Sequence, residues 1–211
     1  MARPKKTDGE AASTRLINAL WDLLETKRLT DITVGMITDQ AGLNRGTFYY
    51  HFDSLDALVE QAIESEMLGS NSIMQNVFGL MVGTPVDNEP DSIVEQRLHK
   101  IALLIKQGGI GILSSKVKSL AIHMWQAILC EEDDRLAPET LLVIEYATSG
   151  IIGIVAHNSL NGGSNVPKEF YLSFIKRNSE FLLTSISEAQ NVPRDTVVSR
   201  LQTAIRFNLL R

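Results

Sequence analysis

The sequence at positions 44–52 reads Asn44-Arg45-Gly46-Thr47-Phe48-Tyr49-Tyr50-His51-Phe52. Ahead of it, residues 33–41 have the pattern of a short helix, because Thr33 can cap its N-terminus and apolar residues recur at helical spacing. Gly42 ends that helix, since glycine takes a left-handed backbone without steric cost, and a second helix begins near Asn44. Two short helices joined by a glycine-containing turn of about three or four residues predict a helix-turn-helix, whose second helix lies in the DNA major groove.

The second short helix carries side chains that suit a polyanion. Arg45 and Tyr49 are four residues apart and lie on one side, and Thr47, Tyr50 and His51 add hydroxyl and imidazole donors. Arginine can take both major-groove acceptors of a guanine, while the other groups can hold phosphate oxygens. Core packing alone accounts for Phe48 and Phe52, but two tyrosines and a histidine together would be costly in a small core.

The head of the chain resembles the TetR-type transcriptional regulators over roughly Thr14 to Ile63. The matching residues are Ile32-Thr33-Val34, Ala41-Gly42-Leu43, the run Gly46-Thr47-Phe48-Tyr49-Tyr50-His51-Phe52, Ser54, and Ala57-Leu58. The resemblance implies DNA contacts from Thr33, Arg45, Thr47, Tyr49, Tyr50 and His51, and we add Asn44 and Gly46 to the predicted DNA-binding set. In one departure, Leu55 stands where the family usually has a lysine aimed at a phosphate, so the salt dependence of binding is expected to be shallower by roughly one unit of slope.

Charge is unevenly distributed along the chain. The net charge is −5, which taken alone argues against a nucleic-acid partner. Residues 1–53 hold seven Lys/Arg and seven Asp/Glu, so the acidic excess lies in residues 54–211. We interpret residues 1–12 as a disordered basic arm that can follow the DNA backbone or enter a minor groove, with a merely solvated tail as the equal alternative.

Cysteine content and hydropathy indicate a cytoplasmic protein. Cys130 is the single cysteine, which excludes an internal disulfide framework, and no Cys/His spacing suggests a metal site. No signal peptide is recognisable at the N-terminus, and no window reaches 18 uninterrupted apolar residues. No cofactor is predicted.

The rest of the chain reads as all-α, with about nine or ten helices. An amphipathic helix from Ser13 to about Lys27 completes a three-helix DNA-binding head at residues 13–54, and residues 55–211 form a larger helical regulatory and dimerisation body. A helix predicted from Leu55 towards Phe78 would span roughly 35 Å and could couple the body to the head. The segment Gly108-Gly109-Ile110-Gly111 predicts a helix–helix turn, because it lacks the Lys-Ser/Thr ending of a phosphate loop.

A helix over residues 140–160 is apolar almost all round, so it must be covered on every side. A subunit interface explains this better than a membrane span, and Gly150 and Gly153 would let another helix approach closely. In TetR-type proteins two helices near the C-terminus of each subunit form a four-helix dimer interface, and the helices around 140–160 and 167–190 fit that role. A two-fold dimer reading a palindromic operator is also the usual route to specificity.

The sequence leaves three candidate functions. The preferred one is a homodimeric, ligand-responsive transcriptional regulator that acts as a repressor and whose effector is a small hydrophobic or amphipathic molecule. The predicted effector pocket comprises His123, Met124, Trp125, Tyr146 and His157, although each of these is as well explained as ordinary core or interface. The second is a partner-dependent activator or co-activator with weak intrinsic DNA binding. The third, an all-helical enzyme, is disfavoured because no nucleophile, base and carboxylate set has a recognisable signature.

Overall fold

The computed structural model describes residues 6–68, 72–84, 91–131, 134–160 and 168–207. Over these ranges the chain is helical and has no β-strand, which confirms the all-α prediction. The helices are α1 (Lys6–Leu24), α2 (Val34–Ala41), α3 (Arg45–His51), α4 (Leu55–Met67), α5 (Ile73–Val82), α6 (Asp91–Lys106), α7 (Ile110–Leu129), α8 (Pro138–Leu160), α9 (Lys168–Gln190) and α10 (Arg194–Arg206). We call α1–α3 the head and α4–α10 the body.

The head packs around the apolar stripe of α1. Leu16, Leu20 and Leu24 recur at helical spacing and are fully buried, together with Ile37 of α2 and Phe48 of α3. The helix begins at Lys6, so the expectation that it starts at Ser13 was wrong. Residues 1–5 of the predicted basic arm lie outside the described residues.

The predicted long helix from Leu55 towards Phe78 was also wrong, because it is two helices. α4 ends at Met67, and Ser72 opens α5 with a side chain that accepts a hydrogen bond from the N–H of Gln75 at 3.1 Å. The intervening sequence contains glycine and two further residues that favour caps over helix interiors. Any mechanical coupling between body and head therefore runs through packed helices and not along one rod.

The body is built around α7 and α8. α7 packs against α4 on one side and against α8 on the other, and α8 in turn packs against α6 and α9. The turn between α6 and α7 falls at Gly108 and Gly109, as predicted, and a Cβ at Gly109 would lie 2.4 Å from Leu104 Cδ1. Glycine is needed there because Leu104 comes so close.

α8 has a buried side and an uncovered apolar side. Ile144, Ile152 and Ala156 are buried, whereas the outer face leaves large apolar side chains exposed. By length and composition α8 could cross a membrane, and 28% of its most apolar window is buried within the chain. The core helix of a soluble protein passes the same test of length and composition. Here α7 and α9 pack against α8.

Candidate nucleic-acid interface

The turn between α2 and α3 is fixed by a left-handed glycine. Gly42 has φ 62° and ψ 39°, and its N–H donates to Asp39 O at 3.1 Å while the N–H of Leu43 donates to Thr38 O at 2.9 Å. These bonds satisfy carbonyls that the helix end would otherwise leave unpaired. Leu43 is half-buried and packs against the apolar core.

Arg15 reinforces the same turn from α1. Its guanidinium donates to the carbonyl oxygen of Ala41 and, at 3.4 Å, to that of Gly42. A cation at a helix C-terminus also interacts favourably with the negative end of the helix dipole. The sequence pattern gave no signal for this residue, because the contact joins positions 26 residues apart.

Side-chain caps begin both helices of the motif. Thr33 Oγ1 accepts from the N–H of Met36 at 3.3 Å, as predicted for the N-cap of α2. Asn44 Oδ1 accepts from the N–H of Thr47 at 2.8 Å and from the Thr47 hydroxyl at 3.2 Å. The Asn44 oxygen and the Thr47 hydroxyl hydrogen are thus engaged within the motif, and the Asn44 amide nitrogen is the cap's outward donor group.

The helix α3 is sharply two-sided. Phe48 is fully buried and Phe52 is 7% exposed, which confirms their prediction as core. Tyr49 and Tyr50 are 57% and 80% exposed, and Arg45 and Gly46 are exposed beside them. Large aromatic side chains at such exposure on a seven-residue helix present a face that the rest of the described chain leaves uncovered. His51 is half-buried, with its ring edge-on to Tyr50 at 5.0 Å.

Arg45 lies across the first turn of α2. One of its terminal guanidinium nitrogens would be 3.0 Å from a Cβ placed at Gly35. The absence of a side chain at Gly35 therefore gives the guanidinium its position, a role that neither helical periodicity nor composition could indicate.

The start of α4 shows what replaces the family's lysine. Ser54 caps the helix by accepting from the N–H of Ala57 at 3.1 Å. Leu55 follows at the first helical position, half-buried against the apolar core. The position combines an apolar stem site with access to solvent, which a lysine could also occupy by extending its ammonium outward.

A buried carboxylate joins α4 to α6 close to the head. Glu66 is 5% exposed, and its two oxygens lie 3.1 Å from Arg97 Nη1 and 2.6 Å from Lys100 Nζ. Lys100 also stands over the ring of Trp21 in α1, 5.7 Å from its centre. At the end of α6, Gln107 donates to Leu24 O at 2.9 Å. The end of α4 and the side of α6 therefore meet the head through charged and hydrogen-bonded contacts.

The body encloses an apolar cavity of about 120 Å³. Its walls come from α4 to α9 and include Met67, Phe78, Trp125 and Ile144. Of the five residues predicted to line an effector pocket, Trp125 does so. Met124 is buried elsewhere, and His123, Tyr146 and His157 are exposed, so their assignment to this cavity is corrected. Helical spacing put these residues near the pocket, but the side of the helix each occupies depends on packing.

Cys130, the single cysteine, lies in an environment that does not activate its thiol. Burial raises the pKa of the Cys130 thiol above its usual value, and the nearby Asp134 carboxylate raises it further. A raised pKa keeps the thiol protonated at neutral pH and makes it a poor nucleophile. Among the described residues, no group of three His, Cys, Asp or Glu side chains could hold a metal ion.

Comparison with known proteins identifies the head. Residues 16–62, from α1 into α4, match the sequence profile described as bacterial regulatory proteins of the tetR family. The HTH-type transcriptional regulator EthR of Mycolicibacterium smegmatis is 33% identical over 84 residues, which are 40% of this chain and 37% of that protein. A solved structure of the TetR family repressor AlkX from Dietzia sp., implicated in biodegradation of n-alkanes, shares 13% identity at a TM-score of 0.42, covering 82% of this chain and 96% of that one.

The alignment with EthR spans little more than a third of that relative's length. The regulatory role of these proteins agrees with the expectation that the chain is not an enzyme. Within the residues that match the profile, the chain has a short helix, a glycine turn and a second short helix whose polar face is exposed. The helix-turn-helix formed by α2 and α3 lies within the residues that match the tetR family of bacterial regulatory proteins.

Proposed function

We propose that the protein is a homodimeric repressor that binds a palindromic operator and releases it when a small effector occupies the body. The single observation that carries the proposal is the exposed face of α3. Arg45, Tyr49 and Tyr50 project from a helix that Phe48 anchors in the core and that a capped glycine turn holds against α2. A rigid support for exposed donors is what reading of base edges requires.

Each residue of the predicted DNA-binding set has a role in this arrangement. Arg45 supplies the bidentate donor for a guanine, and Tyr49 stands four residues on along the same side. Tyr50, His51 and Thr33 supply donors for phosphate oxygens, which fix the register of the head. Asn44, Gly46 and Thr47 form the N-terminal turn, where the Asn44 amide can donate and the small Gly46 leaves room for the DNA backbone.

The dimer is supported by the uncovered apolar face of α8 and α9. Leu142 and Tyr146 on α8 are 70% and 61% exposed, and Phe181 on α9 is 56% exposed with its ring edge-on to Tyr146 at 6.1 Å. A Cβ added at Gly150 or Gly153 would meet nothing within 4 Å, so a partner helix can approach closely there. We call this surface the α8–α9 face, and its partner in the proposal is the same face of a second copy.

Effector control is supported by the fact that Glu66 and Met67 are adjacent residues of α4. Met67 lines the body cavity, and the adjacent Glu66 holds α4 to α6 beside Trp21 of the head. A ligand that shifts Met67 would strain this charged junction and move the head. Two heads in a dimer would then leave the spacing of roughly 34 Å that successive major grooves require. We expect the protein to act in the cytoplasm, because the proposed operator DNA lies there.

The proposal is tested by selecting binding sites from random-sequence duplex DNA with the full chain. An enriched palindrome is expected, and the double variant Arg45→Ala/Tyr49→Ala is expected to lose it. Arg135→Ala, which removes an exposed arginine from the body, is the matched control and should enrich the same palindrome. If a folded dimer enriches no sequence at low salt, the repressor proposal fails, and the partner-dependent alternative becomes the better explanation.

A further inference from the structure

We propose that the body cavity binds a neutral hydrocarbon of about six carbon atoms and discriminates against a charged amphiphile of the same length. This inference rests on the proposed effector site and specifies its ligand. The sequence left hydrophobic and amphipathic effectors as equals, whereas the walls of the cavity separate them.

The first step concerns polarity. The walls are formed by Met, Ile, Val, Leu, Ala and Phe side chains together with Trp125 and Thr148, and no side chain named among them is ionisable. The Thr148 hydroxyl donates to Ile144 O of its own helix at 2.8 Å. A carboxylate or ammonium placed here would lose its water and gain no ionic partner, which is strongly unfavourable. A hydrocarbon loses nothing comparable.

The second step concerns size. The cavity holds about 120 Å³. For comparison, an apolar protein cavity of about 150 Å³ stays dry and binds benzene, because water needs two to four polar partners that such walls do not offer. A single ring or a chain of about six carbons therefore fits this space, while a larger ligand would have to displace the surrounding helices.

The third step concerns entry. Leu98 on α6 and Ile151 on α8 both line the cavity and are exposed, at 40% and 44%. Residues that belong to the wall and to the surface at once mark an opening, and here it lies between α6 and α8. An apolar mouth suits a ligand that partitions out of water without a charged end.

A neighbouring groove provides the competing possibility. It occupies about 490 Å³ between α7 and α8, is lined by Ser114, Ser115 and Ser119 among others, and shares Thr148 and Ile152 with the cavity wall. Its Lys118 already pairs with Glu145. The cation that could attract the head of an amphiphile is thus neutralised within the chain, which favours the uncharged ligand.

The test uses the full chain without DNA, so that its result is independent of operator binding. Benzene, cyclohexane and hexane are the neutral probes, and hexanoate is the charged probe of matched length. The methyl resonances of Met67, Met74 and Met81, which line the cavity, are followed by NMR, with Met36 of the head as the internal control. We expect saturable shifts at the three cavity methionines alone, and at least about tenfold weaker binding of hexanoate.

A pair of variants on α7 checks the location. Ala121 is a buried wall residue, so Ala121→Leu fills part of the cavity, while Ala127→Leu makes the same change at an exposed position. Ala121→Leu should weaken benzene binding at least about tenfold and Ala127→Leu should leave it unchanged. The inference is overturned if hexanoate binds as tightly as hexane, or if no neutral probe shifts the three methionines. An operator selected in the experiment above would survive either result, so the two failures are distinct.

Discussion

At the scale of single residues, the position of Arg45 depends on Gly35. Because a Cβ at Gly35 would lie 3.0 Å from the Arg45 guanidinium, Gly35→Ala should push that group aside. We expect DNA affinity to fall about three- to tenfold, which is part of the binding free energy of a full arginine–guanine pair. Because alanine favours helices more than glycine does, α2 should be as stable as before or more stable. Titration of labelled operator, beside thermal unfolding, measures both.

Gly111→Ala on α7 is the matched control for this change. A Cβ there meets nothing within 4 Å, so helix stability can rise while DNA affinity stays constant. If Gly35→Ala also leaves affinity unchanged, Arg45 does not use its contact with α2 when it binds DNA.

Leu55 offers a second prediction for a single residue. Leu55→Lys should restore a phosphate contact at the start of α4, since its half-buried stem site lets an ammonium extend to the surface. The slope of log affinity against log salt should steepen by roughly one unit. Leu80→Lys adds the same charge at an exposed position on α5 and should leave the slope alone. An unchanged slope for Leu55→Lys would show that this position lost no contact.

The residues of the interface were predictable to different degrees. Phe48, Phe52, the caps at Thr33 and Ser54 and the turn at Gly42 follow from local rules, because each depends on neighbours within four positions. Arg15 and Gly35 did not, since their partners lie on other helices. Of the predicted pocket residues, Trp125 lines the body cavity, and the side of the helix on which each of the others lies depends on contacts between helices. Apolar spacing marked helices, but His123 and Tyr146 face outward, and only the packing of α7 against α8 decides this.

At the scale of the elements, the α2–α3 turn is stabilised by backbone conformation and by Arg15 together. Gly42→Ala should cost about 1–2 kcal/mol for the left-handed backbone, and about 1 kcal/mol more because its Cβ would stand 3.1 Å from the Arg15 guanidinium and disturb its bonds. Gly83 has a similar φ of 65° with open space around it, so Gly83→Ala isolates the backbone part. Denaturant unfolding compares the two; equal costs would exclude a contribution from Arg15.

The junction between α4 and α6 makes a further prediction. Glu66→Gln keeps the shape of the buried side chain but leaves Arg97 and Lys100 without their anion, so we expect a loss of about 1–3 kcal/mol. Glu64 lies on the same helix and pairs with Lys116 at 2.7 Å, but its side chain is 33% exposed. Glu64→Gln should therefore cost less than about 1 kcal/mol in the same unfolding measurement. Similar small losses for both variants would mean that the Glu66 pair does not hold the junction.

The division of the predicted long helix changes how the elements communicate. A continuous rod from Leu55 would transmit a displacement along its axis, but α4 stops at Met67, where the cavity wall and the Glu66 junction meet. Helical periodicity continued through the break because both helices bury one apolar side. The capping residue Ser72 is the local sequence signal of the division.

At the scale of the whole molecule, the charge of the head and the exposed apolar face of the body bear on how tightly DNA would be bound. Residues 1–53 hold seven Lys/Arg and seven Asp/Glu, so in the proposed function one copy of the head alone would have little electrostatic attraction to DNA and would depend on a few exposed donors. Two copies joined by their bodies would engage two half-sites at once, which raises the effective affinity without new contacts. In the proposed dimer, association through the α8–α9 face would therefore compensate for the weak attraction of a single head to DNA.

Phe181→Glu tests this relation. Phe181 is 56% exposed, so the change should leave the fold of the single chain intact while placing a charge in the α8–α9 face. We expect sedimentation to show a monomer, and affinity for a palindromic operator to fall about a hundredfold or more as the second head is lost. Ile110→Glu, at a 40% exposed site at the start of α7, should remain dimeric with full affinity. A dimeric Phe181→Glu variant with unchanged affinity would mean that the subunits associate through another surface, and a monomeric variant with full affinity would mean that a single head suffices to read the operator.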